Sequence, residues 1–173
     1  DILVSSNLER LLFALSGQDD KIVAAYMKQL NETGSYTVSD DLQIKLKEDF
    51  YGGFCDEVRT GQIIEKVWKE HHYLIDPHTA VAYGVMEDYR KETDDKTETV
   101  FISTASPFKF CDSVLHSLGV AEVKDGLDAL GQLAKVSGHP APAPLAALRN
   151  QAVRFEDSVE KGKMIDVVLG QLR

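Results

Sequence analysis

Between Asp56 and Phe110 the apolar pattern switches repeatedly between a helical and a strand-like period, and this alternation restricts the chain more than any other feature. Val58, Ile63, Ile64, Val67 and Trp68 recur at helical spacing over Asp56–His72. Tyr73-Leu-Ile75 then reads as a short strand, Thr79 to Arg90 as a helix and Glu92 to Glu98 as a charged surface loop. Thr99 to Ile102 is a β-branched and aromatic run that reads as a buried strand, with Ser103 to Pro107 turning into another helix. Helices and strands in alternation are the signature of a parallel sheet with helices on its faces, so an α/β fold is expected.

The flanks are helical. Leu8, Leu11, Leu12 and Leu15 make Asn7 to Leu15 a short amphipathic helix, stopped at Gly17. Asp19-Asp20 opens a second helix through Leu30, ended by Asn31 to Gly34, and a third starts near Ser39 or Asp40 and runs towards Phe50. Beyond Gly119, Asp125 to Val136 reads as helix and Gly138 to Pro144 as a stiff proline-rich connector. Leu145 to Asn150 is a short helix, and Val159 to Leu172 closes the chain with Met164, Val167 and Val168 on one face. The change in character near Gly119 divides the chain into residues 1–118 and 119–173. The run Ile2-Leu-Val4 reads as a strand, and a start at Asp1 directly before it reads as a cut from a longer chain.

Charge and cysteine content narrow the function classes. A formal charge of −9 with no Lys/Arg cluster is unsuited to a nucleic-acid partner, whose phosphates need a basic face. No apolar run approaches the ~20 residues of a membrane helix, and no secretory leader is visible, so a cytoplasmic protein without membrane contact is expected. Cys55 and Cys111 show neither CxxC nor Cys/His ligand spacing and read as two reduced thiols.

Two polar junctions are the candidate site. Hydroxyls at the carboxyl end of an α/β strand sit where such folds bind ligands, which singles out Ser103, Thr104 and Ser106. Asp76 is placed to cap a helix whose first residue is Pro77, and both junctions can face one crevice. His78, in the first turn, lacks the Ser/Cys and acid partners of a nucleophilic triad and reads as an orienting group rather than a base. His71 and His72 point to different helix faces and make poor joint metal ligands. Ser5, Ser6, Asn7 and Arg10 form a polar helix start, with one Arg and no glycine loop to support an anion.

Ser5-Ser-Asn-Leu-Glu-Arg-Leu-Leu-Phe13, Asp76-Pro-His-Thr-Ala-Val-Ala82 and Ser103-Thr-Ala-Ser-Pro-Phe-Lys-Phe110 closely resemble, in that order, the carboxyl-terminal part of the bacterial threonine synthase family. Val153-Arg-Phe155 and Lys163-Met164 resemble that family's tail. The resemblance implies a helix-rich α/β piece of a tryptophan-synthase-β-like (fold type II) pyridoxal-phosphate enzyme, with a small incomplete sheet. Residues 1–118 would then belong to the cofactor-binding catalytic domain and 119–173 to a helical extension. The family converts O-phospho-L-homoserine and water to L-threonine and phosphate. It places a Ser or Thr at the cofactor's ring nitrogen, for which Thr104 is the matching position and Ser103 its neighbour, and an acidic residue beside the ring, matched by Asp76.

Thr104 as a mere helix cap and Asp76 as a mere N-cap stay open beside those roles. The lysine that holds the cofactor covalently and the glycine-rich phosphate loop belong upstream, in a missing amino-terminal half, so no catalytic residue is expected here and Lys109 matches a non-catalytic position. Self-association through uncovered apolar surface is expected. A phosphohomoserine phospholyase-type relative and a non-catalytic α/β interaction module are the alternative readings.

Overall fold

The computed structural model describes residues 4–154 and 158–171. The chain folds as two units: one holds residues 1–54 and 85–97, the other residues 55–84 and 98–173.

In the first unit, α1 (Ser6–Leu15), α2 (Asp20–Thr33) and α3 (Asp40–Asp49) pack on one another through Leu12, Val23 and Leu42. Each helix start is explained locally. Ser5 accepts the Leu8 N–H, Asp19 accepts those of Lys21 and Ile22, and Gly34 closes α2 at φ 78°, a left-handed turn that glycine takes without a Cβ penalty. Lys45 Nζ reaches the exposed Leu15 carbonyl at 2.9 Å, so α3 supplies a partner for the end of α1.

The second unit carries the larger core. Helix α4 (Glu57–His71) is capped by Asp56 and buries Ile63, Ile64 and Val67. These side chains join Ile75, Ala80, Phe108, Cys111, Val114, Leu115, Ala129, Leu130 and Leu133 in one cluster. The contributors beyond α4 are the first turns of α5 (Pro77–Thr93), a 3₁₀ turn over Pro107–Phe110, α6 (Cys111–Ser117) and α7 (Gly126–Ser137). Gly84 makes the tightest approach: a Cβ there would meet Cys55 Sγ and Ile63 Cδ1, each at 2.6 Å. Neither Cys55 nor Cys111 is in a disulfide, and burial pushes Cys111 above the ordinary thiol range.

The expected small sheet is not there: the described residues contain helices and turns but no strand. Thr99 to Ile102 is not assigned to a strand, and Val100 and Ile102 are 79% and 78% exposed, so the buried-strand expectation is wrong for this segment. Tyr73-Leu-Ile75, read as a short strand, is not assigned to one either, and only its Ile75 is buried. The sequence periodicity is real, but a strand exists only when another strand supplies the ladder bonds. Of the amino-terminal run, Ile2 and Leu3 lie outside the described residues, as do Phe155 and Leu172.

Two further boundaries differ. The last helix, α9 (Met164–Gly170), starts five residues later than Val159, after a 3₁₀ turn over Lys161–Lys163. Pro144 falls inside the first turn of α8 (Ala143–Ala147), where its missing N–H costs nothing, so the proline-rich connector ends in helix.

Candidate functional site

Asp76 is the centre of the site. It is fully buried, and it precedes Pro77, whose fixed φ suits the first helical position. Its Oδ1 accepts the backbone N–H of His78 at 2.9 Å, as an N-cap should, and lies 3.1 Å from His78 Nδ1. Its Oδ2 accepts the Thr79 hydroxyl and lies 3.3 Å from Ser103 Oγ, while Thr79 Oγ1 and Ser103 Oγ are 2.9 Å apart. Burial works against the charge of Asp76, but hydrogen bonds from Thr79 and His78 outweigh it and hold the carboxyl below the usual range. Asp76 is therefore an ionised, buried acceptor.

That charge fixes the polarity around it. A carboxylate only accepts, and each hydroxyl has one proton. Thr79 gives its proton to Asp76, and Ser103 gives its own to Asp76 or Thr79. Ser103 thus turns lone pairs outward, whereas the adjacent Thr104 is exposed and makes no hydrogen bond among the described residues. Thr104 is the free donor of the pair.

An apolar cavity of about 230 Å³ opens beside this network, lined by Val67, Ile75, Tyr83 and Phe101 with Thr79 and Ser103 at its polar edge. Tyr83 stacks on Phe101 at 5.4 Å, and Lys66 Nζ lies 5.8 Å from the Tyr83 ring centre. His78, by contrast, packs its ring 5.0 Å from that of Phe110.

The structure brings Asp76 and Ser103 together and sets Thr104 next to them. Ser106 stays a capping residue, accepting the Phe108 N–H at the 3₁₀ turn that begins at Pro107. Lys109 is exposed and lies 5.9 Å from the Phe110 ring centre. At the polar start of α1, Arg10 donates to Asn7 and Ser5 caps the helix. Thr79 was not singled out by sequence spacing, yet it ties Asp76 to Ser103. Its signal was its place three residues after the cap, where a side chain turns back over the helix start.

Residues 79–163 match the family model described as threonine synthase, C-terminal, a span that opens at Thr79 and includes Ser103 and Thr104. Threonine synthase of Saccharomyces cerevisiae is 33% identical over 132 residues, which cover 68% of this chain and 26% of that protein. Threonine synthase-like 1 of Homo sapiens is 28% identical over 161 residues, 92% of this chain and 21% of its own length. The chain thus spans about a fifth to a quarter of the curated relatives it matches. Among solved structures, the pyridoxal-phosphate-bound threonine synthase of Brucella melitensis aligns with 97% of this chain and 32% of its own, at 27% identity and a TM-score of 0.68. The chain is thus a helix-rich piece whose fold is similar to part of a threonine synthase. What the comparisons establish is a match to the threonine synthase carboxyl-terminal family model over residues 79–163, with threonine synthases and threonine synthase-like proteins among the relatives.

Proposed function

We propose that this chain is the carboxyl-terminal part of a pyridoxal-phosphate-dependent threonine synthase, which converts O-phospho-L-homoserine and water to L-threonine and phosphate. The observation that carries the reading is the buried Asp76 network at the edge of the aromatic cavity, within the junctions that resemble the family. In this reading residues 1–118 belong to the cofactor-binding catalytic domain and 119–173 to a helical extension.

The residues fit one edge of the cofactor. A pyridine nitrogen needs a donor, which Thr104 offers and Ser103, with its proton turned inward, does not. Ser103 and Asp76 instead fix the turn that presents Thr104. Bound pyridoxal phosphate would supply an electron sink for a substrate carbanion. A hydroxyl at the ring nitrogen, where a carboxylate is the alternative, leaves that nitrogen unprotonated and moderates the sink. The chain's own contribution is to orient a donor and to exclude water with Phe101 and Tyr83.

The polypeptide that carries this region is tested by titration with pyridoxal phosphate and by assay of threonine from phosphohomoserine. Thr104→Val removes the donor and keeps the shape, so cofactor affinity should fall by about 0.5–1.5 kcal/mol, roughly twofold to twelvefold. Wild-type affinity in Thr104→Val would move the role to Ser106, whose hydroxyl accepts the Phe108 N–H and keeps its own proton to donate. The 173-residue chain alone is expected to make no threonine, and borohydride reduction with pyridoxal phosphate should label its lysines weakly and without selection. Stoichiometric labelling at one lysine, Lys109 above all, would overturn the assignment.

A further inference from the structure

We propose that His78 is a proton-accepting residue of the candidate site and that Asp76 is its positioning residue, holding the imidazole as the Nδ1–H tautomer with Nε2 turned outward. The inference rests on reading the Asp76 neighbourhood as the functional site, and it does not depend on a bound cofactor.

His78 Nδ1 lies 3.1 Å from Asp76 Oδ1, an oxygen that already accepts the His78 backbone N–H at 2.9 Å. An ionised carboxylate has no proton to give, so the proton between Nδ1 and Oδ1 belongs to the ring. A neutral imidazole carries one N–H, and Nε2 is left with its lone pair. This is the reverse of the tautomer that predominates for histidine in water.

Ring and backbone are both restrained. The backbone bond to Oδ1 fixes the start of the side chain, and Phe110 packs 5.0 Å away. The His78 side chain is 65% exposed, so with Nδ1 turned to a buried carboxylate the opposite edge of the ring faces outward. When Nε2 takes up a proton, the ring becomes an imidazolium, Nδ1–H stays where it was, and the charge is offset by Asp76. A buried carboxylate orients and steadies a histidine base in this way in hydrolytic triads, although no nucleophile accompanies it here. Ser103 shares the same carboxylate, so this base and the hydroxyls proposed for the ligand are fixed by one group.

The test is a long-range proton–nitrogen correlation spectrum of the ¹⁵N-labelled full chain at about pH 8.5, where ordinary imidazoles are neutral. The chain has five histidines, and His116 Nδ1 also faces an acceptor, the Asp112 carbonyl at 2.9 Å, so His78→Gln assigns the signal. The signal lost in that variant should show a protonated Nδ1 and a bare Nε2. Asp76→Ala, which takes the acceptor away from Nδ1, should shift it towards the Nε2–H form that predominates in water. Diethyl pyrocarbonate, which needs an unprotonated and accessible nitrogen, should modify His78 in the wild type. An Nε2–H signal in the wild type, a folded Asp76→Ala chain that keeps Nδ1–H as fully as the wild type, or a His78 resistant to the reagent would each overturn the proposal. Should Asp76→Ala fail to fold, the wild-type spectrum alone decides. Failure of the cofactor reading would instead appear as absent cofactor binding with the tautomer intact.

Discussion

At the scale of single residues, Asp76 concentrates more consequence than any other side chain. Three groups donate to it: the His78 N–H, the Thr79 hydroxyl and the His78 ring, with Ser103 at 3.3 Å from the same carboxylate. Removing the charge while keeping the shape, as in Asp76→Asn, should lower stability at neutral pH by about 1–3 kcal/mol, read from urea unfolding. The direction of the pH effect follows from the lowered folded pKa of Asp76. Its contribution is fully present above the ordinary carboxylate range and is lost as pH falls through the lower, folded value. The stability gap between wild type and Asp76→Asn should therefore close in acid. A gap that is constant with pH would mean that packing, not charge, is what the substitution disturbs. Two glycines supply a sharper contrast. A Cβ at Gly84 meets Cys55 and Ile63 at 2.6 Å, so Gly84→Ala should destabilise by about 1–3 kcal/mol despite the helical gain. Gly131, inside α7, has nothing within 4 Å of its Cβ position, and Gly131→Ala should stabilise by about 0.5–1 kcal/mol. Thermal melts of both variants check the pair.

At the scale of elements, the helices were legible and the strands were not, for one physical reason. A helix satisfies its backbone from within, so its apolar stripe and its caps are local information: Asp19 opens α2 and Gly34 ends it, as read. The core stripe Ile63, Ile64 and Val67 was likewise visible in the spacing and is buried. A strand needs a partner that its own sequence does not specify, and β-branched runs such as Thr99 to Ile102 record suitability for a sheet without creating one. The misplaced start of the last helix has a related cause, because α9 buries no side chain that would fix its register. The site was half legible. Asp76 and Ser103 were visible as polar junctions, but their meeting through Thr79 spans 24 residues and is a product of folding. The core helices make a direct prediction. Leu115 of α6 and Leu133 of α7 are fully buried in one cluster, so either one replaced by Ala should cost about 2–5 kcal/mol. Denaturant midpoints would show it, and a loss under about 1 kcal/mol would mean that the α6–α7 packing is not the centre of that core.

At the scale of the whole molecule, the amount of uncovered apolar surface is the property with the plainest consequence. Val100 and Ile102 are exposed in a β-prone segment that joins no ladder among the described residues, a combination that other proteins blunt with charge or cover. Helix α9 leaves Met164, Ile165, Val167, Val168 and Leu169 between 47% and 67% exposed, so apolar side chains face solvent along most of its length. The net charge of −9 opposes association through repulsion, but this is a long-range and salt-screened effect, whereas burial of apolar area acts at contact and survives salt. Raising ionic strength should therefore favour association. The chain on its own is expected to bind a hydrophobic dye and to sediment with a mass that rises with concentration, more steeply at about 0.5 M than at about 0.05 M salt. Replacing Val100 and Ile102 by Thr keeps the extended preference and removes much of the apolar area, so it should reduce both signals without a change in helical circular dichroism. A strictly monomeric chain that unfolds cooperatively and binds no dye would show that these side chains are covered in solution by the chain itself, and that the region stands as an autonomous domain.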